Sequence, residues 1–285
     1  MKVFKAPLTV GAAVRAATRL LSATGPTPAL DAEVLVRHAA GVSRADVLTH
    51  PDRLLNEATC AKLAGLVERR RRGEPVAYLT GRREFWSLDL EVSPATLIPR
   101  PETELLVERA LARIPPSAAC TVVDLGTGCG ALALALAREH PRVGVVATDH
   151  SEAALAVAAR NAERLGIANV AFRSGEWLAP LGGERVQLIA SNPPYVRADD
   201  PHLHEGDLRF EPRTALVGGG DGLDAIRRIS AEARAHLLPG GWLLLEHGSE
   251  QAAAVRALLT GRGYRDVHSY RDLAGHERVT EGCAA

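Results

Sequence analysis

Apolar positions along the chain change their spacing twice, and these changes divide the sequence into three parts. In residues 1–75 apolar residues recur every three or four positions, as in "TVGAAVRAATRLLSATG", which is typical of amphipathic helices. Residues 76–99 alternate apolar and polar positions between Gly and Pro residues, which indicates a β-hairpin linker. The pattern therefore predicts a small N-terminal all-helical domain (1–75), a hairpin-like linker (76–99) and a larger C-terminal domain (100–285).

Capping signals in the N-terminal domain support several short helices. Thr9 is placed to cap the first helix, and Gly25 is placed to end it. The second helix is predicted to end at Gly41, and Ser43 with Asp46 three residues later resembles a capping box. The domain contains no group of residues suited to catalysis, so its expected function is substrate recognition or oligomerisation.

Short apolar runs alternate with amphipathic segments throughout the C-terminal domain. The predicted strands are "TVVDLG", "VGVVATD", "NVAFRSG", "VQLIASN" and "WLLLEHG", followed by a β-rich tail. The predicted helices between them include "GLDAIRRISAEARAHLLPGG" (222–241). Apolar strands alternating with amphipathic helices predict an α/β fold with a doubly wound, mostly parallel sheet.

The first strand of this domain runs into a glycine-rich loop, "DLGTGCGA" (124–131). Glycines let the backbone approach a ligand closely, and ligands of doubly wound sheets lie at the carboxyl ends of the strands. Asp149 ends the second strand, 19 residues beyond Gly130, where a carboxylate can accept hydrogen bonds from both hydroxyls of a ribose. The loop and Asp149 therefore predict a site for a nucleoside-containing cofactor.

The glycine pattern alone leaves two classes of cofactor open. Gly126, Gly128 and Ala131 satisfy the dinucleotide pattern G-x-G-x-x-G/A. Asp124 favours S-adenosylmethionine instead, because a carboxylate repels a pyrophosphate and attracts an ammonium and a sulfonium. It is an equally good interpretation that Asp124 only caps the loop, so the choice depends on the fourth strand.

The fourth strand ends in a stiff polar loop, "ASNPPYV" (190–196). Two consecutive prolines do not lie inside a helix or a central strand, and Asn192 before a proline is confined to extended conformations. The Asn192 side-chain oxygen and the Pro193 carbonyl can then converge on the two hydrogens of a planar –NH2 group. Two such acceptors polarise the delocalised nitrogen and stabilise its growing positive charge, so methyl transfer needs no strong base.

Tyr195 supplies a ring against which such a planar group can pack. We therefore predict Asn192, Pro193 and Tyr195 as catalytic residues. The alternative is that this loop is only a rigid stop after the strand. Its position downstream of a D-x-G-x-G-x-G loop favours methyl transfer to a planar nitrogen and leaves open which nitrogen is methylated.

Four residues near the linker carry weaker signals. Phe85 and Trp86 would line a substrate channel, or alternatively pack between the domains. Arg100 and Glu102 would orient the cofactor region, or alternatively form a structural ion pair with each other.

Four further residues are candidates, one in the segment "FEP" and three at strand ends. Glu211 would anchor the loop after the active site, and Glu246 is predicted to be a structural carboxylate. His150 and His247 are in positions suited to general bases, although the mechanism above requires none.

Charge is balanced overall but uneven along the chain. The 34 Lys and Arg residues match 34 Asp and Glu residues, which does not favour binding along an extended nucleic acid. Residues 1–90 hold 14 basic and 9 acidic residues, a net +5, and the remainder holds 20 and 25, a net −5. The run "ERRRRGE" (68–74) predicts a solvated helix end, or alternatively a docking surface for an RNA-associated or acidic partner.

The four cysteines have neither the spacing of a disulfide framework nor that of a zinc site, and no metal is predicted. No long apolar run is present. We therefore expect a reduced, cytoplasmic protein with no membrane span.

Together these motifs resemble the HemK/PrmC-type peptide chain release factor N5-glutamine methyltransferases over essentially the whole chain. "IPRPETE" is the most family-specific segment, and N-P-P-Y is shared with DNA, RNA and other protein methyltransferases. The matching stretches are "EPVAYLTGRREFWSLDLEVSPATLIPRPETELLV" (74–107), "VVDLGTGCGALALALA" (122–137), "ASNPPYV" (190–196), "RFEPRTALVGGGDGL" (209–223), "LLLEHGSEQ" (243–251) and "YRDLAGHERV" (270–279).

The resemblance implies a class I, Rossmann-like methyltransferase with a mostly parallel seven-stranded sheet, which uses S-adenosylmethionine and releases S-adenosylhomocysteine. It would methylate the side-chain amide nitrogen of the glutamine in the Gly-Gly-Gln motif of class I release factors and so tune translation termination. The N-terminal domain would grip the release factor, and the chain is expected to be a monomer. Cys129 stands where the family commonly has Ser or Thr.

The resemblance also implies the residues that contact each ligand. The cofactor-binding residues would be Gly126, Thr127, Gly128, Cys129, Gly130, Asp149, Trp177 and Asn192, to which the charge argument above adds Asp124. The substrate-binding residues would be Asn192, Pro193, Pro194 and Tyr195, and the weaker signals above add Phe85, Arg100 and Glu102 as further candidates.

Two other functions remain open from the sequence. A nucleic-acid methyltransferase acting on adenine N6 or guanine N2 would use the same Asn-Pro-Pro-Tyr chemistry on a flipped base. The neutral charge and "IPRPETE" oppose this function, and no stable nucleic-acid binding is expected, whereas the four arginines favour it. A non-catalytic release-factor-binding protein is the third possibility, and the intact loop, Asp149 and Asn192 argue against it.

Overall fold

A computed structural model describes residues 4–115 and 119–285, which form two compact units. The first unit comprises the chain up to Gly81 together with His202–Phe210, and the second comprises Arg82–Pro201 and Glu211–Ala285. Residues 1–3 of the predicted helical domain and 116–118 of the predicted C-terminal domain lie outside the described residues. The first unit extends beyond the predicted boundary at residue 75, because residues 76–80 form a helix rather than part of a hairpin.

The first unit is helical, with one two-residue strand pair. Its core contains fully buried leucines from three helices, Leu21, Leu35 and Leu63. Its elements are β1 (Leu8–Thr9), α1 (Val10–Leu21), α2 (Pro28–Ala40), α3 (Arg44–Thr49), β2 (Leu54–Leu55), α4 (Glu57–Arg71) and α5 (Val76–Thr80).

The predicted caps of these helices are largely confirmed. The Thr9 hydroxyl accepts a hydrogen bond from the Ala12 N–H, and Ser43 with Asp46 forms a reciprocal capping box. Gly41 ends α2 in the left-handed conformation. The predicted end of α1 at Gly25 is wrong: the helix stops at Leu21, whose carbonyl accepts from both the N–H and the hydroxyl of Thr24.

The arginine run at the end of α4 is not the uniformly solvated helix end that the sequence predicts. Arg70 is buried, and it donates to Asp31 on α2 and to Asp207 in the 202–210 segment, both over 2.8 Å. The other three arginines are exposed and pair with neighbouring glutamates: Arg69 with Glu74, and Arg71 and Arg72 with Glu68.

Arg70→Ala is expected to destabilise the protein by about 3 kcal/mol, because it leaves the buried Asp31 carboxylate without a countercharge. Arg71→Ala is the matched control and should cost less than about 1 kcal/mol, since its pair with Glu68 is exposed. Urea unfolding measures both changes. Equal effects of the two substitutions would contradict the structural role of Arg70.

The second unit contains a mostly parallel sheet, as the sequence predicts, with the seven strands that the resemblance implies. The unit begins with two hairpin strands, β3 (Arg82–Phe85) and β4 (Leu88–Glu91). The strands of the sheet are β5 (Thr121–Leu125), β6 (Gly144–Asp149), β7 (Val170–Ser174), β8 (Val186–Ser191), β9 (Leu237–Glu246), β10 (Arg265–Arg271) and β11 (Glu277–Cys283). The strand order is β10-β11-β9-β8-β5-β6-β7; the five strands from β9 to β7 run parallel, and β10 and β11 run antiparallel to their neighbours. The helices that accompany them are α6 (Glu104–Arg113), α7 (Ala131–Glu139), α8 (Glu152–Leu165), α9 (Arg213–Leu216), α10 (Asp224–His236) and α11 (Ala252–Gly261).

The predicted helix over 222–241 is too long at its C-terminal end. Helix α10 stops at His236, and the following residues begin β9, where Leu237 pairs with Val186 of β8. Pro239 has no N–H with which to continue a helix, and the Gly240 N–H donates to the Ala284 carbonyl instead.

A hairpin precedes the sheet, in the region predicted as a linker. It consists of β3 (Arg82–Phe85) and β4 (Leu88–Glu91), and residues 92–100 contain no helix or strand. The buried side chain of Asn161 on α8 bonds both the N–H and the carbonyl of Glu91, and it also donates to the Cys129 carbonyl. One asparagine therefore holds the hairpin against the glycine loop.

Candidate active site

The glycine loop and the Asn-Pro-Pro-Tyr loop follow two neighbouring strands. Leu125, the last residue of β5, is paired with Ser191, the last residue of β8, and the Ser191 hydroxyl donates to the Leu125 carbonyl over 2.8 Å. The chain passes from β5 to β6 and β7 on one side and returns to β8 on the other side of β5. The two loops thus meet where the strand order reverses, which is where open α/β sheets bind ligands.

Hydrogen bonds to strand β6 hold the glycine loop. The N–H groups of Gly126 and Thr127 both donate to the Thr148 carbonyl, and the Gly128 N–H donates to the Asp149 carboxylate over 2.9 Å. Gly126, Gly128 and Gly130 all have positive φ, between 58° and 87°. This backbone conformation favours glycine and explains the spacing of the motif.

Asp124 lies beneath the glycine loop rather than at the mouth of the site. One of its oxygens accepts from the Thr127 hydroxyl at 2.6 Å and from the Ala133 N–H at 3.1 Å. Burial raises the pKa of the Asp124 carboxyl to about 7, against the lowering effect of these hydrogen bonds. The geometry matches the loop-capping alternative that the sequence left open.

A cavity of about 700 Å³ opens in front of the two loops. Of the predicted site residues, it is lined by Gly126, Gly128, Asp149, Trp177, Asn192 and Pro194. The predicted residues outside its lining are Asp124, Thr127, Cys129, Gly130, Pro193, Tyr195, Phe85, Arg100 and Glu102.

Trp177 reaches this cavity from an unusual backbone conformation, with φ of 49°. Its carbonyl accepts a hydrogen bond from the Thr148 hydroxyl, which ties it to the same strand as Asp149. Its ring lies so close to Gly126 that a Cβ on that glycine would come within 3.5 Å of it. A glycine at 126 and a ring at 177 therefore shape the same part of the cavity wall.

The cavity residues fit an adenosine-containing methyl donor. The Asp149 carboxylate accepts one N–H on each oxygen, from Gly128 and from Ser151, and each oxygen keeps a lone pair for a ribose hydroxyl. The Trp177 ring offers an apolar face to a purine, and Gly128 leaves open space where a side chain would project. Asp149, Trp177 and Gly128 would therefore hold S-adenosylmethionine.

Asn192 is fixed by a residue far away in the sequence. Its Nδ2 donates to the Thr103 hydroxyl over 3.1 Å, while its Oδ1 has no partner among the described residues. Pro193 is buried, and the Tyr195 hydroxyl donates to Glu246 over 3.3 Å. The loop therefore presents the Asn192 carboxamide to the cavity and directs the Tyr195 hydroxyl into the protein.

The four candidates near the linker all lie outside the cavity lining. Phe85 is only 1 % exposed and belongs to the core, which opposes a role in lining a substrate channel. The predicted Arg100–Glu102 ion pair does not form among the described residues, because Arg100 pairs with Glu211. Trp86 donates its indole N–H to Glu139 on α7.

Glu211 connects two cavity-lining segments that the motifs did not identify. One carboxylate oxygen accepts from the Ile98 N–H over 3.0 Å, and the other pairs with Arg100. Residues 94–97 precede the first attachment point, and Pro212, Thr214 and Ala215 follow Glu211. Both segments fall within stretches that carry the family resemblance, which was the only sequence signal for them.

The other reactive side chains have different environments. His150 is exposed at the cavity rim, with its Nδ1 at 3.6 Å from Asp149. His247 is buried between the Gly248 carbonyl and the Thr280 hydroxyl, and burial lowers its pKa. Burial also raises the pKa of the Cys129 thiol to about 12, which keeps it a thiol.

No described helix is long and apolar enough to cross a bilayer, and no described His, Cys, Asp and Glu residues cluster in a way that could hold a metal.

Comparison with known proteins gives two family models and close relatives. Residues 12–81 match the PrmC N-terminal domain, and residues 101–206 match the methyltransferase small domain. The release factor glutamine methyltransferase of Xylella fastidiosa strain Temecula1 is 55 % identical over 263 residues, which cover 92 % of this chain and 96 % of the relative. That of Pseudomonas aeruginosa PAO1 is 54 % identical over 257 residues, covering 90 % and 93 %.

Solved structures agree on the fold. A methyltransferase from Pyrococcus furiosus superimposes with a TM-score of 0.53 at 21 % identity, over 70 % of this chain and 89 % of that chain. This likeness shows the class I methyltransferase fold. The relatives show the family as well as the fold, because their sequence identity to this chain extends over nearly the full length of both sequences. The chain belongs to the family of release factor glutamine methyltransferases.

Proposed function

We propose that this protein transfers a methyl group from S-adenosylmethionine to the side-chain amide nitrogen of the glutamine in the Gly-Gly-Gln motif of class I release factors. The observation that carries the proposal is Asn192, whose Nδ2 is held by Thr103 while the residue lines the cavity beside the glycine loop. Its oxygen is thereby left to accept from a planar amide. The bound cofactor supplies an electrophilic methyl group.

The protein's own residues would bind and orient the acceptor. Asn192 Oδ1 and the Pro193 carbonyl accept from the two amide hydrogens, and the Tyr195 ring packs against the planar group. These contacts turn the nitrogen lone pair toward the methyl group and stabilise positive charge on nitrogen. Gly126, the loop backbone up to Gly130, Asp149 and Trp177 bind the cofactor, while Asp124 supports the loop from below.

The helical unit, which contains the segment that matches the PrmC N-terminal domain, would recognise the release factor. Its exposed leucines, Leu30, Leu48 and Leu54, support a protein-binding role. Its arginine run gives less support to the nucleic-acid alternative than the sequence suggested, since all four guanidinium groups pair with carboxylates. We propose a cytoplasmic monomer without stable nucleic-acid binding.

Incubation of the full chain with a purified release factor and isotope-labelled S-adenosylmethionine tests this function. Tandem mass spectrometry should locate the label on the glutamine of Gly-Gly-Gln and nowhere else. A release factor with asparagine in place of that glutamine is the control and should remain unlabelled. Label on nucleotides, with none on the release factor, would overturn the proposal in favour of the nucleic-acid alternative.

A further inference from the structure

Thr103 and Glu246 form a buried link behind the Asn192 carboxamide. Thr103 lies in the turn before α6, and its hydroxyl accepts the Asn192 Nδ2 hydrogen over 3.1 Å. The same hydroxyl lowers the pKa of the Glu246 carboxyl at the end of β9, and Glu246 accepts from the Tyr195 hydroxyl over 3.3 Å. Both Thr103 and Glu246 are buried. Three elements distant in sequence thus meet behind the residue that faces the acceptor.

We propose that Thr103 and Glu246 are positioning residues that orient the Asn192 carboxamide with its oxygen, rather than its nitrogen, toward the acceptor amide. The proposal rests on the function proposed above, because it assumes that Asn192 binds the glutamine side chain. Both residues are buried and reach the loop through its side chains, Thr103 through Asn192 and Glu246 through Tyr195, so both act through these residues rather than on the substrate.

The direction of the hydrogen bonds supports this role. A threonine hydroxyl has one hydrogen, and a carboxylate has none to donate. With Glu246 ionised, Thr103 donates to Glu246 and can then only accept from Asn192, so the Asn192 nitrogen points to Thr103 and its oxygen points away. If Glu246 is protonated, its carboxyl hydrogen can be donated to the Thr103 oxygen. The Thr103 hydroxyl is then free to donate to the Asn192 oxygen. The carboxamide then loses its preferred orientation.

The surroundings of Glu246 bring the pKa of its carboxyl, and with it the change in Asn192 orientation, near neutral pH. Burial raises the pKa of the Glu246 carboxyl to about 7, with Glu102 acting in the same direction, while Thr103, Tyr195 and Arg278 oppose the increase. Its Oε2 is buried without a hydrogen-bond donor among the described residues. The ionised form is the one that orients Asn192, so kcat/KM should fall as the pH drops below about 7.

The test compares Thr103→Val, Thr103→Ser and Glu246→Gln with the wild type, using a purified release factor from about pH 6 to about pH 9. Thr103→Val removes the hydroxyl and should lower kcat/KM about tenfold, whereas Thr103→Ser keeps the hydroxyl and most of the activity. Glu246→Gln should lower kcat/KM at high pH and lose the decline at low pH. Calorimetric binding of S-adenosylhomocysteine should stay within about twofold of the wild type in all three variants.

Glu281→Gln is the matched control for removal of a buried carboxylate. Glu281 lies on the adjacent strand β11 and pairs with Arg113, away from the cavity. This variant should be less stable but keep the wild-type pH profile. Burial also raises the pKa of Asp124 to about 7, so Asp124 ionises over the same pH range as Glu246. Because Asp124 supports the cofactor-binding loop, measuring S-adenosylhomocysteine affinity at each pH separates its effect from that of Glu246.

The outcomes separate the two proposals. A wild type that never labels release-factor glutamine contradicts the proposed function. A wild type that does so, with Thr103→Val equally fast or with the low-pH decline intact in Glu246→Gln, overturns only the positioning role. If the Glu246→Gln protein does not fold, the comparison of Thr103→Val with Thr103→Ser alone tests the positioning role.

Discussion

Asn192→Ala is expected to lower kcat by about 10² to 10³, because it removes one of two acceptors that stabilise the developing charge on the acceptor nitrogen. Affinity for S-adenosylhomocysteine should change by less than about twofold, since Gly128, Asp149 and Trp177 still form the cofactor side of the cavity. Steady-state methylation of a release factor gives kcat, and calorimetry gives the affinity.

Asn169→Ala is the control for loss of a structural asparagine. Asn169 donates to the carbonyls of Ala137 and Val143 and does not line the cavity. Its replacement should reduce the free energy of unfolding and leave kcat nearly unchanged. If Asn192→Ala retained more than about a tenth of wild-type turnover, the acceptor role of Asn192 would be excluded.

The sequence was sufficient for features that depend on local spacing. The capping box at Ser43, the alternation of strands and helices, and the positive φ values of the glycine loop all follow from residue types a few positions apart. The meeting of the glycine loop with Asn192 could also be inferred, because parallel strands end at the same edge of a sheet. The observed pairing of Leu125 with Ser191 confirms that inference.

Contacts between distant segments could not be read from the sequence. Thr103, Asn192 and Glu246 come from three parts of the chain: the turn before α6, the loop after β8 and the end of β9. The pairing of β8 with β9 brings the last two together, and α6 packs against both strands. The same holds for Glu211, whose partners Ile98 and Arg100 precede it by more than a hundred residues. Residue spacing gives no signal for such pairs.

Burial also gives individual charged residues roles that differ from those indicated by the sequence. The charge of Asp124 favoured a role facing the cofactor, with loop capping as an equally good interpretation, and the side chain turns inward to the Thr127 hydroxyl and the Ala133 N–H. Arg70 looked solvated within a run of four arginines, yet it neutralises the buried Asp31. In both cases the side chain direction depends on which neighbour is available inside the fold, and that neighbour is known only from the structure.

Gly128→Leu is expected to weaken S-adenosylhomocysteine binding by more than about 100-fold, which corresponds to about 2.7 kcal/mol. Gly128 has φ of 58° and lines the cavity, and a Cβ there would meet no atom within 4 Å. A leucine would therefore project into the space that the cofactor occupies, in addition to the strain of about 1 to 2 kcal/mol of a left-handed residue. Isothermal titration calorimetry measures the affinity directly.

Gly166→Leu separates these two effects. Gly166 caps α8 with φ of 67°, a Cβ there also meets no atom within 4 Å, and the residue lies outside the cavity lining. Both variants should lose similar stability in urea unfolding, but only Gly128→Leu should lose cofactor affinity. Wild-type affinity in a folded Gly128→Leu protein would mean that the cofactor binds elsewhere, since a side chain at position 128 cannot share this cavity with an adenosine-containing ligand held by Asp149 and Trp177.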